Sequence, residues 1–181
     1  ELTARAGVNL AAVNYHFGSK DGLAEALFER LSARVNERRV AGLEAYLTSL
    51  PRGRRPSLDR ILDLFVEPYL ADGNEDQGVL LARFILQHRL SPTAMTRRIM
   101  RRHFDPMAKR FIAALSLACP RVDPADLYWR YMFMVSSVVL TVTDTSKDNR
   151  IARLSAGRAD TTRRGDFRAA LQRFLKGGLA A

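Results

Sequence analysis

Apolar residues recur at helical spacing along most of the chain, and no stretch shows the alternation typical of a β-strand. Leu23, Leu27, Leu31 and Val35 recur every fourth residue and predict one long helix from about 21 to 47. The fold class predicted from this pattern is all-α. Further helices are predicted after Ser57 and over about 79–90, 92–103, 105–119, 125–143 and 165–177.

Proline, glycine and polar runs predict where these helices end. Pro68 is expected to kink or end the helix that Ser57 caps. The acidic run 72–78 is predicted to be a turn, since it lacks the spaced ligands of a calcium loop. The polar segment 144–164 is predicted to be a mobile loop, and Gly177-Gly178 to stop the last helix.

The helix predicted over 125–143 is apolar around most of its circumference. Trp129 and Phe133 are expected on one side, while Tyr131 and Val135 on other sides also need cover. A partner subunit would supply that cover, so the sequence predicts a homodimer. Arg130 within this helix has three interpretations: it pairs with an acid, reaches a helix end, or meets an anionic ligand head group.

The first twenty residues predict most of a helix-turn-helix. Gly7 allows the positive φ that closes a helix, and Asn9 is a favoured N-cap after a three-residue turn. Gly18-Ser19 repeats this arrangement before the next helix. A helix-turn-helix needs a third helix to bury its apolar side, so we expect an N-terminal helix that this sequence does not include.

The outward face of the second short helix favours DNA. Ala11 and Ala12 allow close approach to a major groove, and Asn14 and Tyr15 offer hydrogen-bonding groups to bases or phosphates. Lys20 would lie over a phosphate at a helix N-terminus. A purely structural αα-hairpin is the alternative interpretation.

The pattern Ala4-x-Ala6-Gly7-Val8-Asn9-x-x-x-Val13-x-x-His16-Phe17-x-Ser19-Lys20-x-x-Leu23 resembles the signature of the TetR family of bacterial ligand-gated transcription regulators. The resemblance implies a double-stranded DNA operator, a homodimer and a small-molecule effector. The family usually has Tyr at the position of Asn14, so Asn14 itself or Tyr15 would supply that phosphate contact. The predicted DNA-binding residues are Asn9, Leu10, Ala11, Ala12, Asn14, Tyr15, His16, Ser19 and Lys20.

Two stretches, 6–20 and 119–134, are similar to the TetR subgroup that represses fatty-acid degradation genes and responds to long-chain fatty acids. This similarity implies an elongated apolar effector such as a fatty acid or acyl derivative, with Arg130, Arg83 or His88 holding its carboxylate. Methionine-rich helices adapt to such ligands, although ordinary core is the alternative. The predicted effector-binding residues are Phe84, His88, Met100, Phe104, Met107, Phe111, Trp129, Arg130 and Phe133.

Length and charge fit this organisation. A chain of 181 residues with 47% hydrophobic content can bury a core, and we divide it into a DNA-binding domain with its connecting helix (1–47) and an effector-binding and dimerisation domain (48–181). The formal charge of +10 favours a polyanionic partner. Because most of the basic residues are arginine, compositional bias of the source is the alternative explanation.

Cysteine usage and hydropathy predict a cytoplasmic protein. The single cysteine, Cys119, excludes an intramolecular disulfide. The uncharged run 131–143 has 13 residues, fewer than a membrane-spanning helix needs. We expect no membrane association, no metal and no cofactor.

Three functions are compared. The leading one is a repressor that a small apolar effector releases from a palindromic operator. The second is a basic helical protein that binds nucleic acid without sequence preference or effector. An enzyme is the third and is not expected, because His16, His88 and His103 lie far apart and no phosphate loop, dinucleotide fingerprint, zinc motif or nucleophile elbow occurs.

Overall fold

The computed structural model describes residues 18–70, 75–145 and 149–180, and every regular element among them is helical. The predicted all-α fold is therefore confirmed. In chain order the elements are α1 (Lys20–Thr48), α2 (Leu58–Leu70), α3 (Glu75–Leu90), α4 (Ala94–Ile99), a π-helical turn (Met100–Phe104), α5 (Asp105–Ala118), α6 (Pro124–Thr141), a 3₁₀ turn (Val142–Thr145), α7 (Arg150–Leu154) and α8 (Arg164–Ala180).

The long helix α1 begins as its sequence predicts. Gly18 has a φ of +70°, and the Ser19 hydroxyl accepts a hydrogen bond from the Gly22 amide at 3.0 Å. The buried side differs from the predicted stripe, because Leu27 is exposed and Phe28 is buried instead. From Phe28 the buried row continues to Leu43 through Leu31, Ser32, Val35, Asn36 and Arg39.

The core lies between α1, α2, α3, α5, α6 and α8. Helix α2 packs against α1, α3, α5 and α8. Its buried residues include Ile61, Leu62, Phe65, Val66 and Tyr69. Pro68 lies inside α2, which continues to Leu70, so Pro68 does not end the helix.

The prediction of a turn over 72–78 is wrong for residues 75–78, which are helical. Helix α3 begins at Glu75 and includes Gly78, while residues 71–74 lie outside the described part of the chain. A Cβ atom at Gly78 would lie 2.5 Å from the carbonyl oxygen of Tyr69. Gly78 is therefore a packing glycine that lets α3 approach the backbone of α2, and not a turn residue.

The chain is helical without a break from Ala94 to Ala118. Thr93, and not Ser91, caps α4: its hydroxyl accepts from the Thr96 amide at 3.1 Å, while the Thr96 hydroxyl accepts from the Thr93 amide at 3.0 Å. The π-helical turn then leads directly into α5. Pro106 is compatible with this continuity because it stands in the first turn of α5.

The segment 144–164, predicted to be a mobile loop, forms one short helix and is otherwise mostly turns over 155–163, and its mobility stays a prediction. This segment contains α7, and the Asp160 carboxylate accepts hydrogen bonds from the Asn149 amide at 2.5 Å and from the Thr162 hydroxyl and backbone amide at 2.7 and 2.8 Å. The bonds from Thr162 hold the pKa of Asp160 below its usual value. Thr161 is buried and donates to the Asp144 carbonyl. Local side-chain bonds replace the apolar contacts that this segment lacks.

The prediction that Gly177-Gly178 ends the last helix is also wrong. Helix α8 continues to Ala180, and neither glycine has a positive φ. Leu171, Leu175 and Leu179 are buried at a spacing of four, so burial of Leu179 extends the helix past the glycines. Among the described residues, none of the helices combines the length and apolar character that crossing a bilayer requires.

Candidate functional site

A cavity of about 200 Å³ lies between α2, α3, α5 and α6, next to the π-helical turn. Three of the predicted effector-binding residues, Met100, Phe104 and Met107, line it together. The sequence placed them correctly on one side of neighbouring helical turns. The other lining residues are Arg39, Phe65, Tyr69, Ile85, Arg89, Asp105, Ala108, Tyr131, Met132 and Val135.

Arg39 of α1 gives this apolar cavity a fixed cation. It is 2% exposed, and its guanidinium stacks on the Phe65 and Tyr69 rings at 4.7 and 4.6 Å. Its Nε and Nη2 donate to the Phe65 carbonyl oxygen at 3.1 and 2.8 Å, and its Nη1 donates to Asn36 Oδ1 at 3.1 Å. Sequence reasoning missed Arg39, although position 39 continues the helical spacing of Phe28, Ser32 and Val35.

Three polar groups accompany Arg39 around the cavity. Tyr131 is mostly buried beside Phe65, at 6.1 Å between ring centroids, and burial raises the pKa of its phenol well above the usual value. The phenol is therefore a protonated hydrogen-bond donor at neutral pH. Arg89 and Asp105 are exposed residues that complete the lining.

Phe84 and Phe111 belong to the surrounding core and not to the cavity lining. Phe84 stacks on Phe28 with ring centroids 4.9 Å apart. Phe111 is fully buried and meets Phe65 edge to face at 5.4 Å. They support the cavity wall from behind, as the alternative interpretation of ordinary core expects.

His88 lies outside the lining as well. Its Nδ1 is 2.8 Å from the Thr96 hydroxyl, which joins the end of α3 to α4. Burial lowers the pKa of His88, and the charges of Arg89 and Arg97 lower it further. A neutral imidazole held by Thr96 is poorly suited to bind a carboxylate.

Arg130 makes two of the three contacts that the sequence analysis left open, with an acid and with a helix end. Its Nε donates to Asp126 Oδ2 at 2.7 Å, and its Nη1 donates to the carbonyl oxygens of Gly178 and Leu179 at 3.3 and 3.2 Å. Arg130 thus pairs with an acid and binds the C-terminal end of α8, where a cation is favourable. This geometry ties α6 to α8.

Trp129 and Phe133, predicted to bind effector, lie on the surface. Both are 58% exposed and share one side of α6 with Tyr128, Met132 and Leu140. Helix α8 packs beside α6 and exposes Phe174. We call these six residues the outer apolar face. Its side chains have the composition of a protein interface.

A second cavity, of about 550 Å³, lies between the end of α6, α7 and α8. This cavity could not be predicted from the sequence, because it depends on how residues 149–164 fold back. Charged side chains of both signs line it, including Asp144, Arg158, Asp166 and Arg173. Ile151, Phe167 and Ala170 supply its apolar part, so both cavities combine apolar and charged lining residues, and the smaller one differs in holding the buried cation Arg39.

Most of the predicted DNA-binding residues, namely Asn9, Leu10, Ala11, Ala12, Asn14, Tyr15 and His16, lie outside the described residues. Of the other two, Ser19 caps α1 and Lys20 is its first residue. The helix that begins at Lys20 therefore carries Arg39, which lines the cavity. One helix thus leads from residue 20, which follows the predicted reading head in the sequence, to the candidate effector site.

The described residues form an all-α body with a cavity and one long leading helix. Residues 63–178 match the family model described as the tetracyclin repressor-like C-terminal domain. The chain therefore belongs to the TetR family of transcription regulators. It is also similar to the HTH-type transcriptional dual regulator CecR of Shigella flexneri, with 30% identity over 119 residues. The aligned region covers 63% of this chain and 53% of the relative. The chain thus spans about half the length of this curated relative.

Proposed function

We propose that this protein is a cytoplasmic, homodimeric transcriptional repressor that a small effector in the 200 Å³ cavity releases from a palindromic operator. Residues 1–47 form the DNA-binding domain with its connecting helix, and residues 48–181 form the effector-binding and dimerisation domain. The observation that carries the proposal is α1, which starts at the end of the helix-turn-helix motif and lines the cavity at Arg39.

The mechanism requires an effector that distinguishes two conformations of the dimer. An effector that binds the DNA-free conformation about 100-fold more tightly weakens operator binding by the same factor, or about 2.7 kcal/mol. Cavity occupancy acts on α1 through Arg39, and α1 sets the separation of the two reading heads. Apolar ligand contacts are supplied by Met100, Phe104 and Met107.

The outer apolar face supports the homodimer. Trp129 and Phe133 are large, exposed and adjacent, and large aromatic anchors of this kind dominate subunit interfaces. A two-fold contact between two such faces would place the two α1 helices, and so the two heads, in a symmetric pair.

The test is selection of binding sites from random duplex DNA, followed by footprinting and titration at several salt concentrations. The proposal expects a palindromic site bound at least about 1,000-fold more tightly than random DNA. Tyr15→Ala and Lys20→Ala should weaken operator binding without changing the subunit number. Equal affinity for all sequences would refute the proposal and favour the non-specific nucleic-acid binder, which the charge of +10 alone supports.

The sign of regulation is tested separately, since the relative from Shigella flexneri is named a dual regulator. Transcription in vitro from a template that carries the selected site should fall when the protein is added. A rise would make the protein an activator at that site. Turnover of the bound effector would contradict the expectation that the protein is not an enzyme.

A further inference from the structure

The buried charge of Arg39 has no carboxylate partner in the part of the chain that the structure describes. The ion pairs within 4.0 Å there include neither Arg39 nor Arg89. A surface groove on the far side of Arg39 contains two acids, but each is paired elsewhere: Asp63 with Arg168 and Glu67 with Arg38. A buried cation without an anion is costly, even when aromatic rings and a carbonyl oxygen solvate part of it.

From this arrangement we infer that the small cavity is an anion site and that its ligand is a small organic acid whose carboxylate binds Arg39. This inference rests on the proposed function of the cavity as the effector site. It replaces Arg130, Arg83 and His88 as candidates for the carboxylate contact. Arg130 is bound to Asp126 and α8, His88 to Thr96, and Arg83 is exposed outside the cavity lining.

The donors of Arg39 allow this contact without loss of its present bonds. Its hydrogen bonds use Nε and one N–H of each terminal nitrogen, so each terminal nitrogen retains another N–H. Two such N–H groups match the two oxygens of a carboxylate. The amide Nδ2 of Asn36, whose Oδ1 accepts from Arg39, is also buried without a hydrogen-bond partner among the described residues, but Asn36 does not line the cavity. Tyr131 adds a protonated hydroxyl in the cavity wall.

The volume of the cavity limits the rest of the ligand. A cavity of about 150 Å³ accommodates benzene. At about 200 Å³, this one has room for a benzene ring and a carboxylate, or for a short aliphatic acid. The cavity is open at its exposed lining residues Arg89, Asp105 and Met132, so the part of a long acyl chain that exceeds this space would lie in solvent. The apolar wall of Ile85, Phe104 and Val135 suits the hydrocarbon part. Arg39 and Arg89 in the lining attract the anion and outnumber the one carboxylate there, Asp105, which repels it.

The experiment is isothermal titration of the full chain with matched pairs of probes: benzoate and benzamide, then hexanoate and hexanamide. Each pair has nearly the same shape but differs in charge. The inference expects each acid to bind at least about tenfold more tightly than its amide, since hydrogen bonds to a charged group are the stronger ones. Palmitate should bind no better than hexanoate.

Substitutions test which positively charged residue binds the carboxylate. Arg39→Gln should abolish the preference for acids over amides, and Arg38→Gln, next to it on α1 but paired outside with Glu67, should preserve it. Because Arg39 also holds the Phe65 carbonyl, its loss can unfold the protein. Tyr131→Phe and Arg89→Gln avoid that difficulty, and each should weaken benzoate binding several-fold and benzamide binding less, because a hydrogen bond or an attraction to a charged ligand is lost only for the acid.

The outcomes separate this inference from the proposed function. Sequence-selective operator binding together with equal binding of acids and amides, or with no binding of either, overturns the anion site alone. Acid binding that leaves operator affinity unchanged supports the anion site and refutes its role as the effector site. Tighter binding of palmitate than of hexanoate overturns the size limit and favours the long-chain acid that the sequence implied.

Discussion

His103 Nε2 lies 2.5 Å from Glu29 Oε1, although 74 residues separate them in sequence. His103 belongs to the π-helical turn and Glu29 to α1, so this contact joins the cavity wall to the helix that leads toward the reading head. On either side of His103 along the chain, Met100 and Phe104 line the cavity. A π-helical turn is a frequent feature of functional sites, and here it links the cavity to α1.

We predict that His103→Ala lowers the free energy of unfolding by about 1 kcal/mol, because the half-buried Glu29 carboxylate loses its shortest hydrogen bond. The same substitution should reduce the response of operator affinity to the effector. Urea unfolding measures the first effect, and operator titration with and without benzoate measures the second.

Arg102→Ala is the control. Arg102 lies 3.7 Å from the same Glu29 oxygen, but its side chain is 72% exposed, so removing it should change stability by less than about 0.5 kcal/mol. A double-mutant cycle of His103→Ala with Glu29→Gln should show a coupling energy. Additive effects of the two substitutions would mean that the contact contributes nothing.

Gly78→Ala should destabilise the protein by about 1 to 3 kcal/mol, since the added methyl group meets the Tyr69 backbone, which cannot rotate away as a flexible side chain would. Gly165→Ala provides the comparison: open space surrounds that position in α8, and the substitution should be neutral or stabilise by up to about 1 kcal/mol. Urea midpoints of both variants test this. A stable Gly78→Ala protein would mean that α3 does not approach α2 this closely.

The elements that could be predicted from the sequence are those determined by residues close together in the chain, such as helix caps and apolar residues at helical spacing. The start of α1 at Gly18-Ser19, the Asp123-Pro124 start of α6 and the all-α class follow from caps and periodicity. Met100, Phe104 and Met107 lie together because the chain stays helical from Ala94 to Ala118 through the π-helical turn, whereas the sequence predicted separate helices over 92–103 and 105–119.

The remaining features depend on contacts between distant residues. Glycine is typical of turns, but Gly78 lies within α3, where the absence of a side chain leaves room for the backbone of Tyr69, nine positions earlier. Gly177 and Gly178 are helical because burial of Leu179 outweighs the usual preference of glycine for helix ends. Arg39 resembles its exposed neighbour Arg38 in sequence, and only the packing of Phe65 and Tyr69 distinguishes them. Neighbouring residues in the sequence do not indicate such contacts.

Arg130→Ala should destabilise the body by about 1 to 2 kcal/mol, because the C-terminal carbonyls of α8 lose a charged donor. Arg110→Ala, which breaks an exposed pair with Glu44, should cost less than about 0.5 kcal/mol. Urea unfolding compares the two. If Arg130→Ala instead left stability unchanged and removed benzoate binding, Arg130 would return as the effector contact that the sequence predicted.

Phe133→Glu should dissociate the proposed dimer, because it places a carboxylate in the middle of the outer apolar face, where the two-fold contact would bring it close to its own copy. We expect the dimer dissociation constant to rise at least about 30-fold, with the helical content unchanged. Sedimentation equilibrium measures the first quantity and circular dichroism the second. Leu90→Glu, at a more exposed apolar residue at the end of α3, is the control and should leave the dimer intact. If Phe133→Glu remains dimeric while Leu90→Glu dissociates, the subunits meet through the end of α3 and the two α1 helices cannot be paired through α6 and α8.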